Sequence, residues 1–211
     1  MNAQDILKLI GNTPLVEARN LVKNKNVKLF LKMEGNNPGG SVKDRPAYNM
    51  IVSALERGEI KKGDKLIEAT SGNTGLALAM IAQLLNLEIE LILPEDSTKE
   101  RTQTMRAYGA TVILTPAAAG IIGSRDYADK KVAEGGYVML NQFANADNWK
   151  AHYKTTGPEI WNDTHGTVTH FVSAMGTTGT IIGTSTYLKE KKPSIQSVGA
   201  QPSDGSQIPG I

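Results

Sequence analysis

The chain of 211 residues contains no cysteine. That removes disulfides and thiolate metal sites and is compatible with a reducing cytoplasm. Long apolar runs are also missing. The most apolar stretch, Leu76–Leu85, is about half of the ~20 residues a membrane helix needs. Met1–Pro14 lacks the basic region followed by an apolar run that marks a secretory signal. No histidine-rich or carboxylate cluster has metal-ligand spacing. An excess of one charge is absent too: 23 basic against 21 acidic residues leave a net charge of +2. So small and evenly spread a charge argues against nucleic acid and anionic membrane surfaces as partners. The expectation is a soluble, cytoplasmic protein without metal.

What is present has an ordinary globular composition, with 40% hydrophobic and 21% charged residues. The length suits one to two domains at roughly 150 residues each. Short β-type runs alternate with longer helical ones. Strands are expected at Val27–Met33, Lys65–Ala69, Glu88–Leu93, Thr111–Leu114, Tyr137–Leu140, Val168–Ser173 and Ser197–Ala200. Ala47, Met50, Ile51, Ala54 and Leu55 share one face of a helix ending near Gly58. Further helices are expected at Asn73–Leu85, apolar nearly all round and so buried, and at Thr98–Tyr108, Ser124–Glu134 and Thr180–Lys189. Asp147–Asn162 also reads as helical, with Gly157-Pro158 expected to break or bend it. Such alternation predicts an α/β fold of βαβ units with parallel sheets. In those folds ligands sit beyond the carboxyl ends of the strands.

Three loops at such positions carry chemistry. Gly35-Asn-Asn-Pro-Gly-Gly-Ser-Val-Lys43-Asp-Arg45 is a tight turn leading into a helix, with Ser41 a candidate N-cap. Alone it reads equally well as a turn beside a solvated lysine. It is not a nucleotide P-loop, because Ser41-Val42 stands where that motif needs Lys-Ser/Thr. Thr70-Ser-Gly-Asn-Thr-Gly75 joins a strand to a buried helix. Its hydroxyls, carboxamide and backbone N–H groups converge at a positive helix end, which suits a carboxylate or phosphate. A plain Ser/Thr-rich cap is the simpler alternative. Met175-Gly-Thr-Thr-Gly-Thr180 repeats the design after another strand, without the spacing of a dinucleotide fingerprint.

Two anion sites and one lysine are what pyridoxal-phosphate (PLP) chemistry on an amino acid requires: a phosphate, an α-carboxylate and an amine that forms an imine. A hydrolase fits less well. There is no cysteine nucleophile and no Gly-x-Ser-x-Gly elbow, and His152, His165 and His170 have no evident Ser or Asp partners. Those histidines read as structural or surface residues, and Trp149 and Trp161 as packing.

At these residues the chain resembles the cysteine synthase (O-acetylserine sulfhydrylase) family of fold-type II PLP enzymes. The resemblance runs from Ile10-Gly-Asn-Thr-Pro-Leu15 through the lysine loop, Thr70–Gly75 and Thr155-Thr-Gly-Pro-Glu-Ile-Trp161 to Gly176–Thr180. Gly-Ser-Val-Lys-Asp-Arg separates this branch from serine and threonine dehydratases. A-type enzymes usually read Gly-Thr-Gly-Gly-Thr in the last loop. Thr178 here, with Glu34–Pro38 and the Gln201-Pro to Ile211 segment, is similar to the B type, which accepts thiosulfate or larger sulfur donors besides sulfide.

The resemblance implies two three-layer αβα domains with mostly parallel sheets. Residues 36–147 would form the smaller, and 1–35 plus 148–211 the larger. It implies that Lys43 holds PLP as a Schiff base and later takes the Cα proton, and that Asn73 meets the cofactor's 3′-oxygen. Thr70, Ser71, Thr74 and Gln142 would grip the substrate carboxylate, and Gly176, Thr177, Thr178, Gly179 and Thr180 the phosphate. The implied reaction is β-replacement on O-acetylserine by a sulfur donor, giving cysteine or S-sulfocysteine plus acetate in a homodimer. Family members continue beyond the position of Ile211, so the larger domain is expected to be incomplete and to leave a sheet edge or apolar face uncovered. The alternatives are a catalytically impaired cysteine-synthase-like fragment or regulator, and a cystathionine β-synthase-like enzyme.

Overall fold

In the computed structural model, residues 6–70 and 72–203 are described. Ser71 and residues 204–211, which two of the sequence expectations involve, lie outside them. The chain opens with a short antiparallel pair, β1 (Leu15–Glu17) and β2 (Phe30–Lys32), in register Leu15↔Lys32 and Glu17↔Phe30. The expected strand Val27–Met33 is thus only three residues long, and β1 went unforeseen. Its partner explains the length: after Glu17 the chain turns into a 3-10 segment at Arg19–Leu21, and the ladder loses its second strand.

Helix α1 (Asp44–Glu56) buries Ala47, Met50, Ile51 and Ala54, the stripe expected from their spacing. Ser41 is not its N-cap. Its hydroxyl accepts from the Lys43 N–H at 3.2 Å, and the helix starts after Lys43 with no side-chain cap. The strands β3 (Lys65–Ala69), β4 (Glu88–Pro94), β5 (Thr111–Thr115) and β6 (Tyr137–Met139) form one parallel sheet in the order β5-β4-β3-β6. On one face Leu66, Leu91 and Leu93 pack with α1, α2 (Asn73–Leu84) and Met105 of α3 (Lys99–Ala107). On the other, Ile67, Ala69 and Ile92 meet Ala128 of α4 (Gly120–Glu134). This is the expected three-layer αβα arrangement.

The predicted helix over 147–162 is two helices, α5 (Ala146–Lys154) and α6 (Thr156–Asp163). The break falls at Thr155 (φ −126°, ψ −69°), before the Gly-Pro pair. Pro158 therefore lies in the first turn of α6, where a missing N–H leaves no hydrogen bond unmade. A second parallel pair, β7 (His170–Ala174) and β8 (Gln196–Ala200), flanks α7 (Gly179–Lys191). Ile160 of α6, Leu188 of α7 and Phe171 close a small core on one face of this pair. Val172 and Val198 of this pair are exposed, 63% and 45%.

An ion cluster pins the lysine loop to the rest. Buried Arg45 donates to both Glu34 oxygens (2.7 and 2.8 Å), both Glu159 oxygens (2.7 and 2.8 Å) and Thr13 Oγ1 (3.1 Å). Lys32 adds a 2.8 Å contact to Glu159. Burial alone would raise the Glu159 carboxyl, but hydrogen bonds from Arg45 and Lys32 outweigh it and hold the group down at about 2. Because this folded-state value is depressed, the stabilisation is complete above about pH 4.5 and is lost as pH falls towards 2. Arg45→Met leaves two carboxylates without their partner and is expected to cost roughly 3–5 kcal/mol at pH 7. Urea unfolding measures this. A loss below about 1 kcal/mol would mean the cluster is not what anchors the loop.

Candidate active site

The strand order creates a switch point. From β3 the chain proceeds outward to β4 and β5, then returns to place β6 on the other side of β3. Loops leaving the carboxyl ends of β3 and β6 therefore diverge and leave a crevice, the usual ligand position in open parallel sheets. The chain after β3 carries Thr70 and, at the start of α2, Asn73 and Thr74; the loop after β6 carries Gln142. The structure joins two of them directly: Thr74 Oγ1 donates to Gln142 Oε1 at 2.8 Å. Thr70, Thr74 and Gln142 are buried, and Asn73 is exposed at the first position of α2.

A buried carboxylate shapes that meeting. The β3–β6 ladder ends at Ile67↔Met139. Beyond it Glu68, 5% exposed, accepts from the N–H groups of Asn141 (3.0 Å) and Gln142 (3.3 Å). The side chain thus replaces the backbone acceptors that β3 no longer offers, while Asn141 turns left-handed (φ 53°). Burial pushes the Glu68 carboxyl up to about 7, against the pull of these N–H groups and of Arg125.

The third loop, 175–178, begins α7. Thr178 is left-handed (φ 64°), and its Oγ1 donates to the Thr177 carbonyl at 2.6 Å. Among the described residues neither α2 nor α7 has a side-chain cap, which leaves the first N–H groups of both helices suited to an anion. The two loops face each other across Asn148, buried on α5. Its Nδ2 donates to Gln142 O at 2.7 Å and to Thr177 Oγ1 at 3.0 Å. Gln142, Asn148, Thr177, Thr178 and Gly179 line a cleft of about 180 Å³.

Lys43 stands at the start of α1, which packs on both α2 and α5, and α5 packs on α7. The Lys43 charge reaches buried His152, whose Nε2 lies 3.3 Å from Thr180 Oγ1. Among the described residues Lys43 Nζ has no hydrogen-bond or ion-pair partner, and burial lowers its pKa. A half-buried lysine without a carboxylate is pushed towards the neutral, nucleophilic amine. The nearby Asp44 carboxylate turns away, accepting from the Gly39 N–H at 2.5 Å. A Cβ on Gly39 would stand 2.6 Å from it, so a side chain there would force the carboxylate to shift.

His152 is a buried structural residue as expected, held neutral at about 3 chiefly by burial, with Nδ1 2.9 Å from Thr156 Oγ1. His165 and His170 are exposed. A larger cleft of about 620 Å³ lies between Asn12–Leu15 and the end of α6. Its charged groups Lys32, Glu159 and Asp163 already pair with one another. No group of three or more metal-ligating side chains occurs among the described residues. The sequence reading missed Glu68, Asn148 and the Arg45 cluster. A glutamate inside the apolar run Lys65–Ala69 was the available signal for the first. The polar pair Asn148 and His152, one helical turn apart, was the signal for the second.

A half-buried amine without a partner among the described residues, together with two helix starts that carry no side-chain cap there, offers the donor types that a phosphate-bearing aldehyde and a carboxylate need. The comparisons with known proteins agree. The pattern of the family described as pyridoxal-phosphate dependent enzyme matches residues 6–210. The chain belongs to this family. Cysteine synthase B of Pseudomonas aeruginosa is 57% identical over 206 residues, covering 98% of this chain and 69% of that protein. Cysteine synthase B of Escherichia coli is 54% identical over 202 residues, covering 96% and 67%. The crystal structure of cysteine synthase from Entamoeba histolytica superposes with a TM-score of 0.92 at 38% identity, covering 98% of this chain and 64% of that one. The chain thus falls in the B-type cysteine synthase branch of its family and spans about two thirds of the length of these relatives.

Glu68 yields a pH test. Its folded-state value lies above the ordinary 4.5, so its contribution to stability is fully present below pH 4.5 and is lost as pH rises through about 7. The nominal loss is about 3 kcal/mol at most. Glu68→Gln should flatten the fall in melting temperature between pH 5 and 8 that the wild type shows. Parallel wild-type and variant curves across that range would refute the assignment.

Proposed function

We propose that the chain carries out PLP-dependent β-replacement on O-acetylserine with sulfide or thiosulfate, giving cysteine or S-sulfocysteine and acetate. The observation that carries this reading is the half-buried Lys43 amine, partnerless among the described residues, at the start of a helix that packs on both α2 and α5. PLP, when bound, supplies the electron sink that makes the Cα proton removable. The rest falls to the protein's own residues. Lys43 attaches the cofactor, takes the Cα proton as acetate departs from Cβ, and returns a proton to Cα once sulfur has added. Thr70, Ser71, Thr74 and Gln142 orient the substrate carboxylate. Gly176, Thr177, Thr178, Gly179 and Thr180 hold the phosphate through hydroxyls and N–H groups, and Asn73 meets the 3′-oxygen.

The same proposal includes a smaller domain over 36–147 that closes on a larger one from 1–35 and 148–211, excluding water from the site. It also includes the homodimer and the cytoplasmic location. No helix among the described residues is long and apolar enough to cross a membrane.

Mixed with PLP, the purified chain should turn yellow, and Lys43→Ala should abolish the visible absorption. O-acetylserine should shift that absorption, and sulfide or thiosulfate should restore it with release of the sulfur amino acid. A colourless wild type that PLP cannot colour would overturn the enzyme reading. Colour with no response to O-acetylserine would favour the regulator alternative.

A further inference from the structure

Asn148 touches both anion loops, and its chemistry allows only one orientation. A peptide carbonyl can only accept, so the contact at 2.7 Å to Gln142 O identifies the atom there as the amide nitrogen. The same nitrogen donates to Thr177 Oγ1 at 3.0 Å, which uses both of its hydrogens. Thr177 Oγ1 accepts this bond, so its own proton must point elsewhere. One turn further along α5, His152 Nε2 stands 3.3 Å from the hydroxyl of Thr180, at the other end of the loop. Gly179 completes the fit, since a Cβ there would overlap Asn148 Oδ1. The helix face bearing Asn148 and His152 thus backs the loop hydroxyls, and Asn148, although it lines the cleft, already spends both amide hydrogens on Gln142 O and Thr177 Oγ1.

We propose that Asn148 is a positioning residue that couples the two loops: its bond to Thr177 Oγ1 leaves that hydroxyl free to donate to a phosphate. Its bond to Gln142 O fixes the carboxylate loop at a set distance from the phosphate loop. This rests on the preceding reading that residues 176–180 hold the cofactor's phosphate. Loss of one hydrogen bond to a charged group corresponds to roughly 10- to 100-fold in affinity.

The test compares PLP with pyridoxal, which forms the same imine with Lys43 but has no phosphate. Binding is read from visible absorption in wild type, Asn148→Ala, Thr177→Val and the double variant. Each single variant should weaken PLP about 10-fold or more and pyridoxal by less than about 2-fold. The double variant should be no worse than either single one within about 2-fold, because the two residues act through one bond. Equal losses for PLP and pyridoxal would reduce Asn148 to a structural role and overturn the proposal, as would additive losses in the double variant. Should Asn148→Ala not fold, titration of the wild type with inorganic phosphate serves instead. The side-chain amide proton resonances of Asn148 should then shift, and unmoved resonances would overturn the proposal. A wild type that binds neither PLP nor pyridoxal would bring down the function reading as well, an outcome distinct from loss of phosphate selectivity alone.

Discussion

The parallel pairing of β3 with β6 stops two residues before the end of β3, and the geometry of the site depends on how the chain beyond that point satisfies its N–H groups. After Ile67↔Met139 the Glu68 carboxylate takes the N–H groups that the ladder would otherwise have served. Buried N–H groups left without acceptors cost free energy, so the β6 chain must track the carboxylate instead of continuing straight. That substitution turns Asn141 left-handed and points Gln142 at Thr74. The remaining bonds consolidate the same turn: Asn145 donates to Leu140 O at 2.8 Å and caps α5 through the Asp147 N–H at 2.9 Å. Helix α5 then carries Asn148 and His152 to the second loop. One buried carboxylate thus fixes the relation between elements distant in sequence.

The support under each loop differs in kind. The lysine loop is held by charge, through the fork of Arg45 between Glu34 and Glu159. Asn37 adds further bonds, accepting from Gly11 N at 2.8 Å and donating to the Glu34 carbonyl and carboxylate. A guanidinium can satisfy two carboxylates at once in fixed geometry, which an ammonium cannot. The effect is to keep strong negative partners engaged with Arg45 and away from the neighbouring Lys43. The loops carrying Gln142 and Thr177 are joined to each other by the neutral amide of Asn148, and Glu68 holds the first of them only from its backbone N–H side. A carboxylate placed there would compete with an anionic ligand for the helix N-termini.

The large-scale fold was legible because it rests on periodicity. Strand β3 was read to the residue, and α1, α2 and the parallel sheet came from apolar spacing and β–α alternation. The errors came where tertiary partners decide. Strand β2 begins only where β1 turns away, and Pro158 proved harmless because Thr155 had already ended the preceding helix. The candidate residues were legible as loops because glycine, threonine and asparagine clustered after strands. Their supports were not. Glu68, Asn148 and Arg45 act through contacts with residues about 70, 30 and 110 positions away, for which spacing along the chain carries no signal.

Thr178 shows how such supports and local strain belong together. A β-branched residue at φ 64° is costly, by roughly 1–3 kcal/mol, and glycine would adopt this conformation freely. The A-type pattern of the resembling family does carry glycine here. The bond from Thr178 Oγ1 to the Thr177 carbonyl offsets part of the cost and ties the loop's own backbone down. It also uses the Thr178 proton internally, which leaves the hydroxyls of Thr177 and Thr180, the two that Asn148 and His152 contact from beneath. In this loop, threonine in place of glycine ties the turn to its own backbone without adding a donor to it, and the orientation of the remaining hydroxyls falls to α5.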